Sequence, residues 1–112
     1  IRAHYDSRLA EIPGLAPFPA PSWAESACWI SGAICDTEQL AASARKVLIA
    51  AGFDAKLFWK PMHLQPPYAD APATAQTHSN EIWKRILPLP NSTSLTQDEQ
   101  DLIIDALVAS AG

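Results

Sequence analysis

The spacing of apolar residues along the chain predicts three amphipathic helices. Apolar side chains recur three or four positions apart, which is the spacing of one helix face, in residues 1–12, 36–52 and 96–112. Pro13 and Gly14 follow the first of these segments and favour its end. The apolar positions predicted to face inwards are Ile1, Tyr5, Leu9 and Ile12, then Leu40, Ala44, Val47, Leu48 and Ala51, then Leu102, Ile103, Ala106 and Leu107.

Polar residues and glycines at the helix ends support two of these predictions. Asp36 and Gln39 are three positions apart, as are Thr96 and Glu99, and this is the spacing of a capping box. In that arrangement each side chain accepts a hydrogen bond from a backbone N–H that the helix leaves free. Glycine is favoured just after a helix because it adopts the left-handed conformation without strain. The glycines in that position are Gly52 and Gly112.

Three segments have the composition of β-strands. Residues 23–35 lack proline and contain Cys28, Trp29, Ile30 and Ile34, so we interpret them as a buried first strand. Residues 55–59 alternate in polarity and end before a proline, which predicts a second strand. Residues 86–90 contain two prolines, and because proline has no backbone N–H, this third predicted strand is confined to the edge of a sheet.

The remaining segments are predicted to be connections and one short helix. Prolines make residues 15–22 an extended connector and residues 62–75 a long surface loop. Thr77 or Ser79 is expected to cap a short helix. Its inward residues are expected to be Ile82, Trp83 and Ile86. The element order predicts one α+β domain over residues 1–112, with a small, mostly antiparallel sheet and helices packed on one face.

The composition narrows the class of protein. The 112 residues are 48% hydrophobic and carry a formal charge of -4, which fits one small acidic domain and disfavours electrostatic binding to nucleic acid. No run approaches the roughly 20 apolar residues that span a bilayer, and the start lacks the pattern of a secretory leader. We therefore expect a cytoplasmic protein without a membrane partner. Because the chain starts at Ile1, we interpret it as a fragment of a longer protein.

The cysteines and histidines predict neither a disulfide nor a metal site. Cys28 and Cys35 lie seven positions apart in the predicted first strand, roughly 23 Å along it and on opposite faces, so we expect them not to pair. Free thiols fit a reduced compartment. The histidines and cysteines show no close-spaced pair of ligands of the kind that zinc sites use.

The densest group of chemically versatile side chains follows the second predicted strand. Trp59 and Tyr68 offer ring faces for stacking, and Lys60 offers a cation for a phosphate or carboxylate. His63 and Gln65 offer hydrogen bonds. A polyhydroxylated or nucleotide ligand would use all of these groups. The alternative interpretation is that the aromatic rings only pack and that the histidine is satisfied within its loop.

Three strings in the sequence resemble one known family. They occupy residues 5–14, 59–66 and 89–100, and the middle string reads WKPMHLQP. On these strings the chain resembles the C-terminal domain of the DegT/DnrJ/EryC1/StrS aminotransferases, which are pyridoxal-phosphate enzymes that act on nucleotide-linked keto-sugars. The middle string is most similar to the branch that makes amino-dideoxy sugars for bacterial protein glycosylation and surface polysaccharides.

The resemblance implies that most of the enzyme lies outside this chain. In the family, a larger N-terminal domain carries pyridoxal phosphate and its Schiff-base lysine, and the active sites lie at a homodimer interface. The resemblance therefore implies a small domain that contacts the nucleotide-sugar substrate, beside a site that also takes an amino donor, and that is inactive alone. Lys60 is not expected to be the Schiff-base lysine, because it falls in a loop of the small domain and a solvated ammonium forms imines poorly.

The resemblance also nominates site residues. His63 matches the family's histidine that approaches the sugar nucleotide, and Trp59 matches the aromatic residue beside it, so both are expected to bind substrate rather than to transfer protons. The further candidates are Lys60, Gln65 and Tyr68. The chain departs from the branch just before the tryptophan, where it has Lys56 and Leu57 in place of arginine and proline. Lysine does not reproduce the two-pronged hydrogen bonding of arginine.

Two other functions stay open at the level of the sequence. A stand-alone interaction domain would bind a partner protein through the proline-rich arm and exposed tryptophans. Within the resembled family, some members instead dehydrate the sugar with the same cofactor. The residue that decides between amination and dehydration lies outside this chain.

Overall fold

The fold combines four α-helices with one three-stranded sheet. The computed structural model of the chain describes residues 1–111, so the predicted helix end at Gly112 lies outside the described residues. The elements in chain order are α1 (Arg2–Leu9), β1 (Leu15–Pro17), β2 (Ser31–Cys35), α2 (Glu38–Ala50), α3 (Thr77–Ile82), β3 (Ile86–Leu89) and α4 (Gln97–Ala111). The predicted α+β class is confirmed.

The sheet is antiparallel and has the strand order β1-β2-β3. Leu15 lies opposite Cys35 on one side of the central strand, and Ser31 lies opposite Leu89 on the other. These side chains are buried because they face the layer formed by α1, α2 and α4. The same face carries the core, whose remaining members include Tyr5, Leu9, Ala33, Ala44, Leu48, Leu87, Ile103, Ile104 and Leu107.

Hydrogen bonds from two buried side chains join α1 to the residue after β3 and α4 to the start of the chain. The hydroxyl of Tyr5 donates to the carbonyl oxygen of Pro90 at 2.8 Å, and the buried amide of Gln100 donates to the carbonyl oxygen of Ile1 at 2.9 Å. On the partly exposed side of α1 and α4, Arg8 and His4 both contact the carboxylate of Asp101, at 2.8 and 2.9 Å. The first and last helices are therefore held together by polar bonds as well as by apolar packing.

The second helix forms where the periodicity predicts it, but its cap differs from the prediction. The side chain of Thr37, and not that of Asp36, accepts a hydrogen bond from the backbone N–H of Leu40 at 3.1 Å. Thr37 has the extended backbone that an N-cap requires. Gly52 follows the helix with φ +88°, so the predicted left-handed glycine is confirmed. The buried face contains Ala41, Ala44 and Leu48.

The capping box predicted for the last helix is confirmed. The Glu99 carboxylate accepts from the Thr96 backbone N–H at 2.8 Å, and the Thr96 hydroxyl accepts from the Glu99 backbone N–H at 3.2 Å. The backbone N–H and the hydroxyl of Thr96 both donate to the Glu99 carboxylate, and these two bonds lower the pKa of Glu99. The predicted inner face is wrong at Leu102, which is 59% exposed, because Ile103 and Ile104 are the buried pair.

The predicted first strand over residues 23–35 is wrong in its first eight residues. Only Ser31–Cys35 pair with other strands, and residues 19–29 form an exposed arm. Cys28 has φ +52°, a left-handed conformation that breaks an extended strand, and it lies exposed. Cys28 and Cys35 are both free cysteines. They do not share a strand as predicted, because Cys28 lies outside β2. Trp29 is 76% exposed and not buried as expected.

The second predicted strand, residues 55–59, is not a strand in the described structure. It borders β3, whose Pro88 has no N–H to offer a fourth strand. The predicted connector over residues 15–22 is also partly wrong, since its first three residues pair with β2 as strand β1. The predicted edge position of β3 is confirmed.

The predicted long loop over residues 62–75 is confirmed and contains two short 3₁₀ turns, Met62–Leu64 and Pro66–Tyr68. The short helix α3 follows it, but neither Thr77 nor Ser79 caps it, because the helix begins at Thr77 and its N-cap residue Gln76 makes no side-chain cap bond. Across the described chain, no helix combines the length and the apolar character needed to cross a lipid bilayer.

Candidate functional site

A large concavity lies between the loop after Trp59 and the α3 segment. It has a volume of about 710 Å³ and is open to solvent. One wall comes from residues 58–74, and the other comes from residues 76–86. Its lining includes Phe58, Trp59, His63, Tyr68, Gln76, Ser79, Trp83 and Ile86. We call this concavity the aromatic hollow.

Trp59 is positioned at the rim of the aromatic hollow by two neighbouring rings. Its ring centroid lies 5.3 Å from that of Phe58 in an edge-to-face arrangement, and 5.6 Å from that of Trp29 with the planes tilted by 30°. Aromatic pairs at these distances are favourable. Trp59 nevertheless stays 59% exposed, so part of its ring remains accessible to a ligand.

His63 lies inside the aromatic hollow and is fixed by a contact across it. The Nε2 atom of His63 is 2.7 Å from the Oδ1 atom of Asn80, a residue of α3. The side-chain oxygen of Asn80 accepts, so the hydrogen on this bond belongs to the imidazole nitrogen. The other ring nitrogen, Nδ1, is then left to bind a ligand hydroxyl or water.

The sequence predicted five site residues, and the structure brings three of them into the aromatic hollow. Trp59, His63 and Tyr68 line it together. Gln65 does not line it, because its side-chain amide donates to the carbonyl oxygen of Lys60 at 2.9 Å and so braces the loop. The side chain of Lys60 is exposed and also lies outside the lining.

Several lining residues escaped the sequence reasoning. Gln76 and Ser79 supply polar groups, and Trp83 and Ile86 supply apolar surface, from a segment that begins well beyond the WKPMHLQP string. The sequence predicts that Trp83 and Ile86 face inwards. It does not predict that they line one site together with the loop after Trp59. No motif marks Asn80 as the partner of a histidine seventeen positions earlier.

Apart from His63, the described residues that line the aromatic hollow have no formally charged side chains. Aspartate, glutamate, lysine and arginine are all absent from the described residues that form it. The hollow therefore suits the uncharged part of a ligand, such as a sugar ring or a base, whose apolar faces stack on aromatic side chains.

The described residues are not suited to bind pyridoxal phosphate covalently. A lysine that forms an imine with a cofactor needs a desolvated environment that lowers its pKa. The lysines of this chain are exposed, and two of them form ion pairs, Lys56 with Asp54 at 3.1 Å and Lys84 with Glu38 at 3.2 Å. Within residues 1–111, no group of three histidine, cysteine or acidic side chains gathers in a way that could hold a metal.

The geometry can now be compared with known proteins. A family model described as the DegT/DnrJ/EryC1/StrS aminotransferase family matches residues 1–108. The chain belongs to this aminotransferase family. It is also 25% identical, over 114 aligned residues and 96% of its length, to EpsN of Bacillus subtilis strain 168, which is named as a pyridoxal phosphate-dependent aminotransferase.

Two solved structures share the fold of this family member. The aminotransferase TlmJ from Streptoalloteichus hindustanus superposes with a TM-score of 0.83 at 18% identity, covering 97% of the chain. The sugar aminotransferase CalS13 from Micromonospora echinospora superposes with a TM-score of 0.77 at 20% identity, covering 96% of the chain. The chain spans 29% of EpsN, 29% of TlmJ and 28% of CalS13.

Proposed function

We propose that the chain is the small C-terminal, substrate-contacting domain of a pyridoxal phosphate-dependent aminotransferase that aminates a nucleotide-linked keto-sugar. The proposal extends to a homodimeric cytoplasmic enzyme of amino-sugar, polysaccharide or glycoprotein biosynthesis that also takes an amino donor. Family membership over residues 1–108 supports the aminotransferase class. The name of CalS13, a sugar aminotransferase with this fold, supports the sugar as the acceptor.

The single observation that carries the substrate proposal is that Trp59, His63 and Tyr68 line one open hollow. In this proposal, the tryptophan and tyrosine rings stack against the apolar faces of a sugar or base. His63 and Gln76 donate or accept hydrogen bonds with hydroxyl groups. All of these residues act as binding groups, and none of them transfers a proton in the reaction.

The cofactor chemistry is assigned to a part of the enzyme outside this chain. Pyridoxal phosphate, when bound to an aminotransferase, supplies the electron sink for amino-group transfer. The chain's own contribution is to hold the sugar nucleotide in place. We therefore expect the chain alone to leave the absorbance spectrum of added pyridoxal phosphate unchanged. A new band that disappears when a specific lysine is replaced would contradict this division of labour.

The binding role is tested with matched tryptophan variants and UDP-N-acetylglucosamine as the probe. Trp59→Ala removes a ring from the hollow, whereas Trp23→Ala removes a ring that is 86% exposed and lies outside it. Isothermal titration should show at least about fivefold weaker binding for Trp59→Ala, since stacking of a base on an aromatic ring contributes about 1–3 kcal/mol. Trp23→Ala should bind like the parent chain. Equal effects of the two variants would contradict the proposal.

A second candidate function, a protein-interaction domain, is favoured by the exposed arm. Every residue from 19 to 29 is exposed, and the arm carries Trp23 and Trp29 at 86% and 76% exposure. Large exposed aromatic side chains mark protein contact surfaces. The two candidates differ in one measurement, because an interaction domain predicts no saturable binding of a nucleotide sugar by the parent chain.

A further inference from the structure

A second, smaller groove lies beside α2 and adjoins the aromatic hollow at Trp83 and Ile86. Four residues of α2 line it at helical spacing: Glu38, Ala41, Ala42 and Arg45. Residues at these spacings share one helix face. The two alanines are short, so they leave a depression whose opposite wall is formed by Leu57, Trp83, Ile86 and Leu87.

Positive charge dominates the rim of this groove, although the chain as a whole has a net charge of -4. Its lining contains three cations, Arg45, Lys56 and Lys84, against one carboxylate, Glu38. Lys84 is paired with Glu38 at 3.2 Å. Lys56 is paired with Asp54 at 3.1 Å, but both side chains of that pair are more than 70% exposed, so the pair is weak.

Among the three cations of the groove, Arg45 has no counter-ion within the described residues. It takes part in none of the ion pairs found among residues 1–111. Its Nε atom is buried and has no hydrogen-bond acceptor. A buried donor left without an acceptor is unfavourable, and a guanidinium binds a carboxylate with two parallel hydrogen bonds. The side chain therefore lacks the anionic partner that its chemistry favours.

The size of the groove indicates what enters it. Its volume of about 180 Å³ is below the roughly 300–1,000 Å³ typical of pockets for small-molecule ligands. It suits one side chain with an apolar stem and a charged end, because its floor is alanine and its wall is aliphatic and aromatic. We propose that this groove receives a glutamate or aspartate side chain from a second polypeptide segment, with Arg45 binding the carboxylate.

This inference does not rest on the function proposed for the aromatic hollow. Only Trp83 and Ile86 line both concavities, and none of the cations that line the groove also lines the hollow. Failure of nucleotide-sugar binding would leave the groove proposal standing. Failure of carboxylate binding at Arg45 would leave the hollow proposal standing.

The test uses blocked glutamate, N-acetyl-glutamate amide, as a probe for one residue of a partner chain. N-acetyl-glutamine amide is the matched neutral probe. Titration of the ¹⁵N-labelled chain should shift the Arg45 Nε–H resonance and the backbone amides of Ala41 and Ala42 with the glutamate probe only. Equal shifts with both probes would overturn the proposal, because they would show that the carboxylate is not recognised.

Variants and a second anion complete the test. Arg45→Gln should weaken binding of the glutamate probe at least tenfold, while Lys46→Gln, a neighbouring exposed position outside the groove, should leave it unchanged. Arg45→Lys keeps the charge but loses the two-pronged geometry and should give an intermediate loss. Inorganic phosphate that binds more tightly than the glutamate probe would overturn the assignment to an acidic side chain.

Discussion

The imidazole of His63 and the side-chain amide of Asn80 lie 2.7 Å apart, and this pair joins the two walls of the aromatic hollow. His63 belongs to the loop after Trp59, whereas Asn80 belongs to α3. The loop has few buried side chains of its own, so a bond to a helix holds it in the position where its rings face the hollow.

Removing the Asn80 side-chain oxygen should loosen the loop. We expect Asn80→Leu to cost about 1 kcal/mol of local stability, because the His63 N–H loses its acceptor at a partly exposed site. Backbone amides of residues 62–65 should then exchange with deuterium roughly fivefold faster. Asn80→Asp keeps an oxygen acceptor and is the control. Unchanged exchange in Asn80→Leu would show that this bond does not hold the loop.

Gly32 should be intolerant of a side chain, whereas Gly52 should tolerate one better. A Cβ atom at Gly32 would overlap the carbonyl oxygen of Leu87 and lie 3.0 Å from the ring of Phe18. Because a backbone atom is involved, Gly32→Ala should lower the free energy of unfolding by roughly 3 kcal/mol. Gly52→Ala meets no atom within 4 Å and should cost about 1 kcal/mol through its φ of +88°. Urea unfolding measures the loss of unfolding free energy in both variants. A smaller loss for Gly32→Ala than for Gly52→Ala would contradict the close contact between Gly32 and Leu87.

The accuracy of the sequence predictions follows the range of the interactions involved. Helices α2 and α4 are recognisable because periodicity and caps are local, and the edge position of β3 follows from its prolines. The predicted inner face of α4 is wrong at one position, since Leu102 and Ile104 are both apolar and only the packing of α1 and α2 against α4 selects between them.

The errors concern segments whose structure depends on a distant partner. Residues 23–30 and 55–59 have strand-like composition, but a strand forms only where a neighbouring strand supplies hydrogen bonds. The candidate site also depends on contacts between distant segments, which the sequence alone does not reveal. The loop half of the aromatic hollow is evident as a string of unusual residues. The other half, and the contact of His63 with Asn80, become visible only in three dimensions.

The two cysteines should differ strongly in reactivity. Cys28 is exposed, whereas Cys35 is buried in the core, where burial raises the pKa of its thiol to about 11. Because the thiolate is the reactive form, Cys28 should react with a thiol reagent such as DTNB within minutes at pH 8, and Cys35 only on unfolding. Cys28→Ser should abolish the fast reaction. A fast reaction that persists in this variant would contradict the burial of Cys35.

Stability should fall in alkaline solution. Loss of hydration raises the pKa of Cys35 from 9.0 to about 11, with Arg85 opposing the shift and Asp36 adding to it. The unfolded chain therefore releases this proton near pH 9 while the folded chain keeps it, so stability decreases between pH 9 and 11, by roughly 2 kcal/mol. Burial also raises the pKa of Tyr5, which extends the decrease above pH 10.

Urea unfolding between pH 7 and 11 measures this dependence. Cys35→Ala should flatten the part of the curve between pH 9 and 10, where the tyrosine does not yet contribute. Cys28→Ser, which changes an exposed thiol, should keep the slope of the parent chain. A parent chain whose stability is constant up to pH 11 would refute the assignment.

The most direct test of the proposed function locates the nucleotide sugar on the chain. UDP-N-acetylglucosamine is titrated into the ¹⁵N-labelled chain, and the indole N–H of each tryptophan and the ring signals of each histidine are followed. Saturable shifts are expected at Trp59 and His63, whereas Trp23 and His78, which lie outside the aromatic hollow, should be unchanged. Shifts confined to Trp23 and His78, or no shifts at saturating probe, would contradict the proposed function.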